Sequence, residues 1–403
     1  MSSAIETTSI DAASTALGLE NRDAVWLASL RAEGVRLAGQ LSLPDSRRER
    51  PWKYLDISGL QLGDYTPAAG KLTLSGAAAG VVVANLADGD AKVQATAEKH
   101  LGKTVTPGRS RLDALHYAYL RDVVVVDVAA NTEAVEPVRI GREFSKAKQL
   151  SAPHTLIVTG ANSRVTVVED CRSGDGDIVV LPVVEVIPGP ASEVRYVTLH
   201  RWGAKTQVFS DQRLITDRDS AFWNLNLVTG GKVVKGHIEC SLEGRGSSSE
   251  LLAVTFGNGS QHADFFTLQD HIGADTRSDL MYKSALTDHA RSVYYGLTRI
   301  GLGARNGDAN QENRNLLLSK TAKADSDPVL EILTNDIIRA SHGATAGPVD
   351  EEQLYYLQTR GIPHAAAEAL LVRAFLGQVL ARVKDETLRE EFFEILDAKL
   401  ESR

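Results

Sequence analysis

Apolar and polar positions alternate with two different periods along this chain. In RDAVWLASLRAEGVRLAGQL, residues Val25, Leu27, Leu30, Val35, Leu37 and Leu41 recur at loose helical spacing and predict an amphipathic helix. Pro51 in RPWKY is expected to break that helix, since proline removes a donor and clashes with the preceding turn. KLTLSG and GVVVANL then read as short strands, SRLDALHYAYL as a helix and DVVVVDVA as a buried strand. From about residue 151 the period becomes two. HTLIVTGANSRVTVVED, VVEVIPGPASEVRYVTLHRW, QRLITDRDSAFWNLNLVTGGKVVKGHIECSLEG and SELLAVTFGNGSQHADFFTLQDH follow one another. In them β-branched and aromatic residues alternate with polar ones between Gly, Asn, Asp or Ser clusters. No helix is expected before about residue 335. Such a span exceeds an ordinary sandwich of seven short strands, leaving a large sandwich, a propeller or a β-solenoid. The lack of a strict repeat weighs against a propeller with signature blades. An irregular β-helix tolerates it, because a rung needs only inward apolar positions and turn residues at its corners.

The tail returns to helical spacing. Asp350 followed by Gln353 makes a capping-box-like start, with Leu354, Tyr355, Tyr356 and Leu357 behind it. Gly361 is a helix stop and Pro363 a first-turn residue. Leu371, Phe375, Val379 and Val383 form the next stripe, widened by Val372, Leu376 and Leu380. Leu388, Phe392, Ile395 and Leu396 form the last. These stripes are too wide for short helices to bury among themselves. They must lie on the β-region, on another subunit, or on both.

Composition narrows the function. A chain of 403 residues that is 43% hydrophobic has enough apolar material for two or three packed domains. A formal charge of −8 disfavours a nucleic-acid-binding face. No apolar run approaches a membrane span, and the polar start MSSAIETTSIDAASTALGLENRD does not read as a secretory signal. Two cysteines, Cys171 and Cys240, suit a cytoplasmic chain without structural disulfides. Two are also too few to hold an iron–sulfur cluster, which usually takes four ligands.

Recognisable catalytic motifs are missing: there is no GxxxxGK[ST], GxSxG, HExxH or CxxC. His262, His271 and His289 lie near Asp264, Asp270 and Asp288, and their spacing could stack them on neighbouring rungs as a metal site. A structural role at strand ends and turns is the favoured reading. A stand-alone carbohydrate-active solenoid, a lyase or hydrolase, is the alternative function, with Asp275, Asp279 and Asp288 as carboxylates. His342 in IIRASHGATAG stands where strands give way to helices. Taken alone, a single histidine is more often a capped or solvated residue than a ligand.

ENRNLLLSKTAKADSDPVLEILTNDIIRASHGATAGPVDEEQLYYLQTRGIP resembles the signature of the SufB/SufD family of iron–sulfur cluster assembly proteins. Leu316 to Leu318, DPVLEI, SHGAT and DEEQLYYL carry the likeness, with QHADFFTLQDH, YKSALTDHARSVYYG and RPWKY. It covers roughly residues 50 to 380. SHGAT fits the SufD branch. The SufB branch has a cysteine where this chain has Leu357, and SufD sequences often have one at Ala340. The resemblance implies a mainly β chain: an N-terminal mainly helical (α/β) region (1–118), a right-handed parallel β-helix core (119–334) and a C-terminal helical domain (335–403). It implies a non-catalytic scaffold subunit of a SufB–SufC–SufD complex. The implied partners are a SufB-like paralogue joined through the β-helices and a SufC-like ABC ATPase on the C-terminal helices, with a homodimer when alone, and neither nucleic acid nor membrane. The implied cargo is iron or a nascent cluster, transient and shared with SufB, with His342 as its interfacial ligand. The family is also associated with reduced flavin and with sulfur from a cysteine desulfurase.

Overall fold

The computed structural model describes residues 24–401. The polar lead-in, residues 1–23, lies outside the described residues. Helix α1 (Val25–Ala38) buries Leu27, Arg31, Gly34 and Ala38, while Val25 is exposed. It ends at Gly39, well before Pro51, which sits in a separate single turn, Arg50–Trp52. Helices α2 (Ala91–His100) and α3 (Arg111–Ala118) are capped by Asp90 and Ser110. Gly34 is where α1 meets α3: an added Cβ would lie 2.6 Å from the Ala118 nitrogen.

The centre is a β-solenoid of about 8 turns. Successive long strands alternate between two sheets, so each strand pairs in parallel with the strand after next. In the first sheet Gln207 pairs with Val233, Val233 with His262, His262 with Arg291 and Arg291 with Lys323. In the second Glu193 pairs with Ala221, Ala221 with Ser248, Ser248 with Arg277 and Arg277 with Asp308. The two short strands expected near the N-terminus pair antiparallel with the first rungs. Lys71–Ser75 covers Val138–Phe144, and Val81–Asn85 covers Asp122–Val128. These two are the outermost strands of the two sheets at the N-terminal end.

A repeat that no motif announces lies at one corner. Asn131, Asn162, Ala191, Asp219, Gly246, Asp275 and Asn306 all have positive φ. Each donates its backbone N–H to the corresponding corner of the next rung, as Asn162 does to Pro190, Asp219 to Arg245 and Asn306 to Asp336. Asn, Asp and Gly dominate because they enter the left-handed region at least cost.

Inward residues of the early rungs form an apolar core that includes Val124, Val126, Ile140, Phe144, Val167 and Val194. Helices α5 (His364–Leu380) and α6 (Glu386–Glu401) lie on the outside of the second sheet. Val372, Leu376, Val379, Phe392 and Leu396 meet Leu199, Leu225, Leu227, Leu252 and Val254 there. Each such fully buried side chain contributes about 2 kcal/mol. The apolar tail therefore finds its cover mainly on its own solenoid. Helix α4 (Glu351–Thr359), capped by Asp350, is different: it buries none of its residues. The expected helical tail from 335 starts later, because Ile337–Gly347 forms one more strand on Gly307–Leu317 before α4 opens at Glu351.

Candidate functional site

The C-terminal end of the solenoid is open. Lys323–Ile332 is the edge of the first sheet and Ile337–Gly347 the edge of the second. Among the described residues no strand pairs beyond either. Parallel register fixes which way their side chains face. Ala340, His342, Ala344 and Ala346 are in register with Ala309, Gln311, Asn313 and Asn315, all buried within the solenoid. His342 is thus on the inward face of the last rung, yet exposed, because among the described residues nothing covers that rung. Beneath it the interior turns polar. Gln311 accepts from the Tyr294 hydroxyl at 3.0 Å and donates to the Val329 carbonyl at 3.3 Å. Asn313 accepts from Ser326, and Asn315 donates to Asn313 at 2.8 Å. Small side chains around the imidazole leave room for a group brought from outside.

The histidine trio does not assemble. His262 and His271 occupy opposite ends of one strand, in register with Arg291 and Ile300, and His289 sits in an exposed turn. His271 is held by Thr276 and Ser278, each at 2.8 Å, and burial pushes its pKa down to about 4. Among the described residues, no group of three or more His, Cys, Asp and Glu side chains could hold a metal ion. The carboxylates of the carbohydrate reading are dispersed too. Asp275 receives Arg245 and Asn306, Asp279 receives Arg382 and Asn310, and Asp288 receives the Gly259 N–H.

Spacing did not reveal two buried polar clusters. Inside the solenoid, Arg142 donates to Glu169 at 2.6 Å and also to Asp122. Outside the first sheet, Glu185 accepts the N–H groups of Gly102, Thr104 and Val105 and the Thr104 hydroxyl, clamping the turn after α2. His154 Nε2 lies 3.1 Å from Glu185, and its Nδ1 is 3.1 Å from His116 Nε2. Since His116 Nδ1 faces the Leu181 carbonyl at 2.7 Å and donates there, His116 Nε2 is left to accept from His154 Nδ1. Burial drives the Glu185 carboxyl up. His154 and the Thr104 and Val105 donors outweigh it and hold the pKa at about 2. A depressed carboxylate stabilises the fold above its unfolded pKa and loses that contribution as pH falls through the folded one. Glu185→Gln is therefore expected to flatten the acid limb of a stability–pH profile between about pH 4.5 and 2, by on the order of 3 kcal/mol. Urea midpoints across that range measure it; an unchanged limb would refute the clamp.

The family model for the SUF system FeS cluster assembly, SufBD core domain, matches residues 142–375, more than half of the chain. The chain belongs to the SufBD family of iron–sulfur cluster assembly proteins. A SufBD family protein of Mycobacterium tuberculosis is 30% identical over 311 residues, covering 75% of this chain and 77% of that protein. SufD of Bacillus subtilis is 29% identical over 342 residues, with 84% and 78% covered. SufD of Escherichia coli is 29% identical over 183 residues, with 45% and 43% covered. Within the SufBD family this chain is of the SufD type, a component of iron–sulfur cluster assembly. Its own thiols are poor ligands. Both are buried, and burial pushes the Cys171 thiol well up and the Cys240 thiol to about 12. No helix among the described residues is long and apolar enough to cross a membrane.

Proposed function

We propose that this chain is a scaffold subunit that brings His342 to a shared iron or cluster assembly site with a SufB-like paralogue and docks a SufC-like ATPase. The observation that carries this is the exposed imidazole on the inward face of an uncovered last rung. An inward position is normally sealed by the next rung; among the described residues none seals this one, which supports cover by another chain. Iron or a nascent cluster is the cargo. Neutral imidazole supplies one ligand, and thiolates come from the paralogue, because Cys171 and Cys240 are sealed inside this chain. The carbohydrate-enzyme reading has no observation in its favour, since its carboxylates are held apart by structural partners.

Helix α4 supports the ATPase contact. Tyr355 and Tyr356 are 69% and 56% exposed, and Leu357 and Leu371 line a shallow depression beside Tyr356. Exposed aromatic and aliphatic side chains together suit a partner's groove. Gly361, at φ +85, separates α4 from the anchored α5. Co-expression with the two partners tests the assignment. Changing Tyr355 and Tyr356 together to Glu is expected to abolish ATPase copurification while the paralogue stays bound. Retention of the ATPase by that variant would remove α4 as its dock. If the wild-type chain retains neither partner, the scaffold assignment fails.

A further inference from the structure

The segment RPWKY carries part of the family likeness but no residue of the open end. It lies on the outer face of the first sheet and reaches across several of its strands. At one end it is anchored. The Trp52 and Phe209 rings are 6.2 Å apart between centres, and the Pro51 carbonyl accepts from Lys235, whose ammonium lies 5.2 Å from the centre of the Trp52 ring. Lys235 is buried and paired with Asp264 at 2.6 Å. Phe209, Lys235 and Asp264 are in register on three successive strands. A buried ammonium holds its place only while it is paired and hydrogen-bonded, so this end is fixed.

The other end reaches the last rung. Lys53 Nζ lies 3.4 Å from Asp327, and the Tyr54 hydroxyl donates to the same carboxylate at 3.1 Å. Asp327 belongs to Lys323–Ile332, the first-sheet edge of the open end. Arg291 lies over the Tyr54 ring, 5.1 Å from its centre, and pairs at 2.6 Å with Asp325 on that same edge strand. Between the two outward carboxylates stands Ser326, on the opposite face, donating to Asn313 in the polar floor below the His342 rung. An edge strand has backbone partners on one side only, so ties of this kind set how readily it opens. A solitary surface ion pair adds little, because two long side chains must be ordered to make it. Here the Lys235 anchor has already fixed the strap and Tyr54 is wedged beneath Arg291, so little further ordering is required.

We infer that Lys53 and Tyr54 are positioning residues: through Asp327 they hold the edge strand Lys323–Ile332, and with it the floor of the His342 site, in place for the incoming partner. The functional half of this rests on the reading of the open end as the assembly site.

Hydrogen exchange of the purified full chain, followed by mass spectrometry, tests the strap. Lys53→Met combined with Tyr54→Phe is expected to speed exchange of the Lys323–Ile332 amides about tenfold or more, since hydrogen bonds to a charged group are lost. The Ile337–Gly347 amides are expected to keep their rate, because Ser341 and Arg339 tie that strand to Asn310 and Asp308 instead. The urea midpoint is expected to stay where it is, with the Lys235 anchor intact. Lys53→Arg, which keeps the charge beside an unchanged Tyr54, is expected to exchange like the wild type. In the assembled complex the double variant is expected to lower cluster formed per complex severalfold with both partners retained, as loss of an outer support does. Unchanged exchange at Lys323–Ile332 overturns the strap. Faster exchange at both edges, or a fallen urea midpoint, makes the segment a general stabiliser and overturns the positioning role. Faster exchange confined to Lys323–Ile332 with normal cluster yield, or with loss of a partner, overturns the link to the His342 site. Exchange is read on the chain alone, so its outcome is separate from that of the scaffold assignment.

Discussion

Arg142→Met is expected to destabilise the protein by about 3–5 kcal/mol, the cost of leaving buried charges unpaired. The guanidinium is almost completely buried. It lies between Asp122 and Glu169, and it donates to the His154 carbonyl and the Thr155 hydroxyl, both at 3.2 Å. Burial opposes its charge, but the two carboxylates outweigh burial and hold the proton firmly. Glu169 is itself fixed by the Tyr196 hydroxyl at 2.6 Å and by Thr155 at 3.0 Å. Deleting the cation leaves two carboxylates in an apolar tube, with four strands affected. The effect is measured from the urea midpoint at neutral pH. Adding Asp122→Asn and Glu169→Gln to the Met variant is expected to recover most of the loss, because the uncompensated charges are gone. A single variant within about 0.5 kcal/mol of wild type, the range of ordinary surface changes, would refute the network.

His342→Ala is expected to lower cluster formation by the assembled complex about tenfold or more, while leaving the fold and the partner contacts unchanged. Removing even an indirect support of a metal ligand costs that much, so a direct ligand costs at least as much. Folding should be untouched: the imidazole is exposed, and the strand that carries it is held by backbone pairing to Gly307–Leu317 and by Ser341 Oγ donating to Asn310 at 2.8 Å. The measurements are cluster absorbance per complex, iron bound per complex, and copurification of the partners. Normal iron and cluster yield would defeat the ligand role. Loss of partner binding would make the residue part of the contact instead. His342→Cys provides a sharper comparison, since a thiol keeps ligand capacity but changes the donor; recovery of iron binding would favour direct ligation over a shape effect.

Some of the polar interior was visible in the pattern. Within VRIGREF, Val138, Ile140 and Phe144 take the inward positions at period two, and Arg142 falls on the same face. A charge on an apolar face signals a buried partner. What the pattern lacks is the partner's identity: Asp122 and Glu169 come from other strands, and only rung stacking brings them to Arg142. His154, His116 and Glu185 hold out still further, since the first and last lie on neighbouring strands and His116 on a helix laid across them. The three histidines that looked clustered in the sequence are apart because the rung length, set by the corner residues, pairs His262 with Arg291 rather than with another histidine.

The sequence alone determined the element types, because hydrophobic period reports which face of a segment is dry, and caps and glycines report where it stops. Asp350, Gly361 and the alternation after residue 151 needed no neighbours to be read. The tertiary structure alone decided register: which residue of each rung lies over which. Register is a property of pairs distant in the chain, set by one left-handed corner per turn and by side chains meeting inside the tube. It put His342 on an inward face with no rung above it among the described residues.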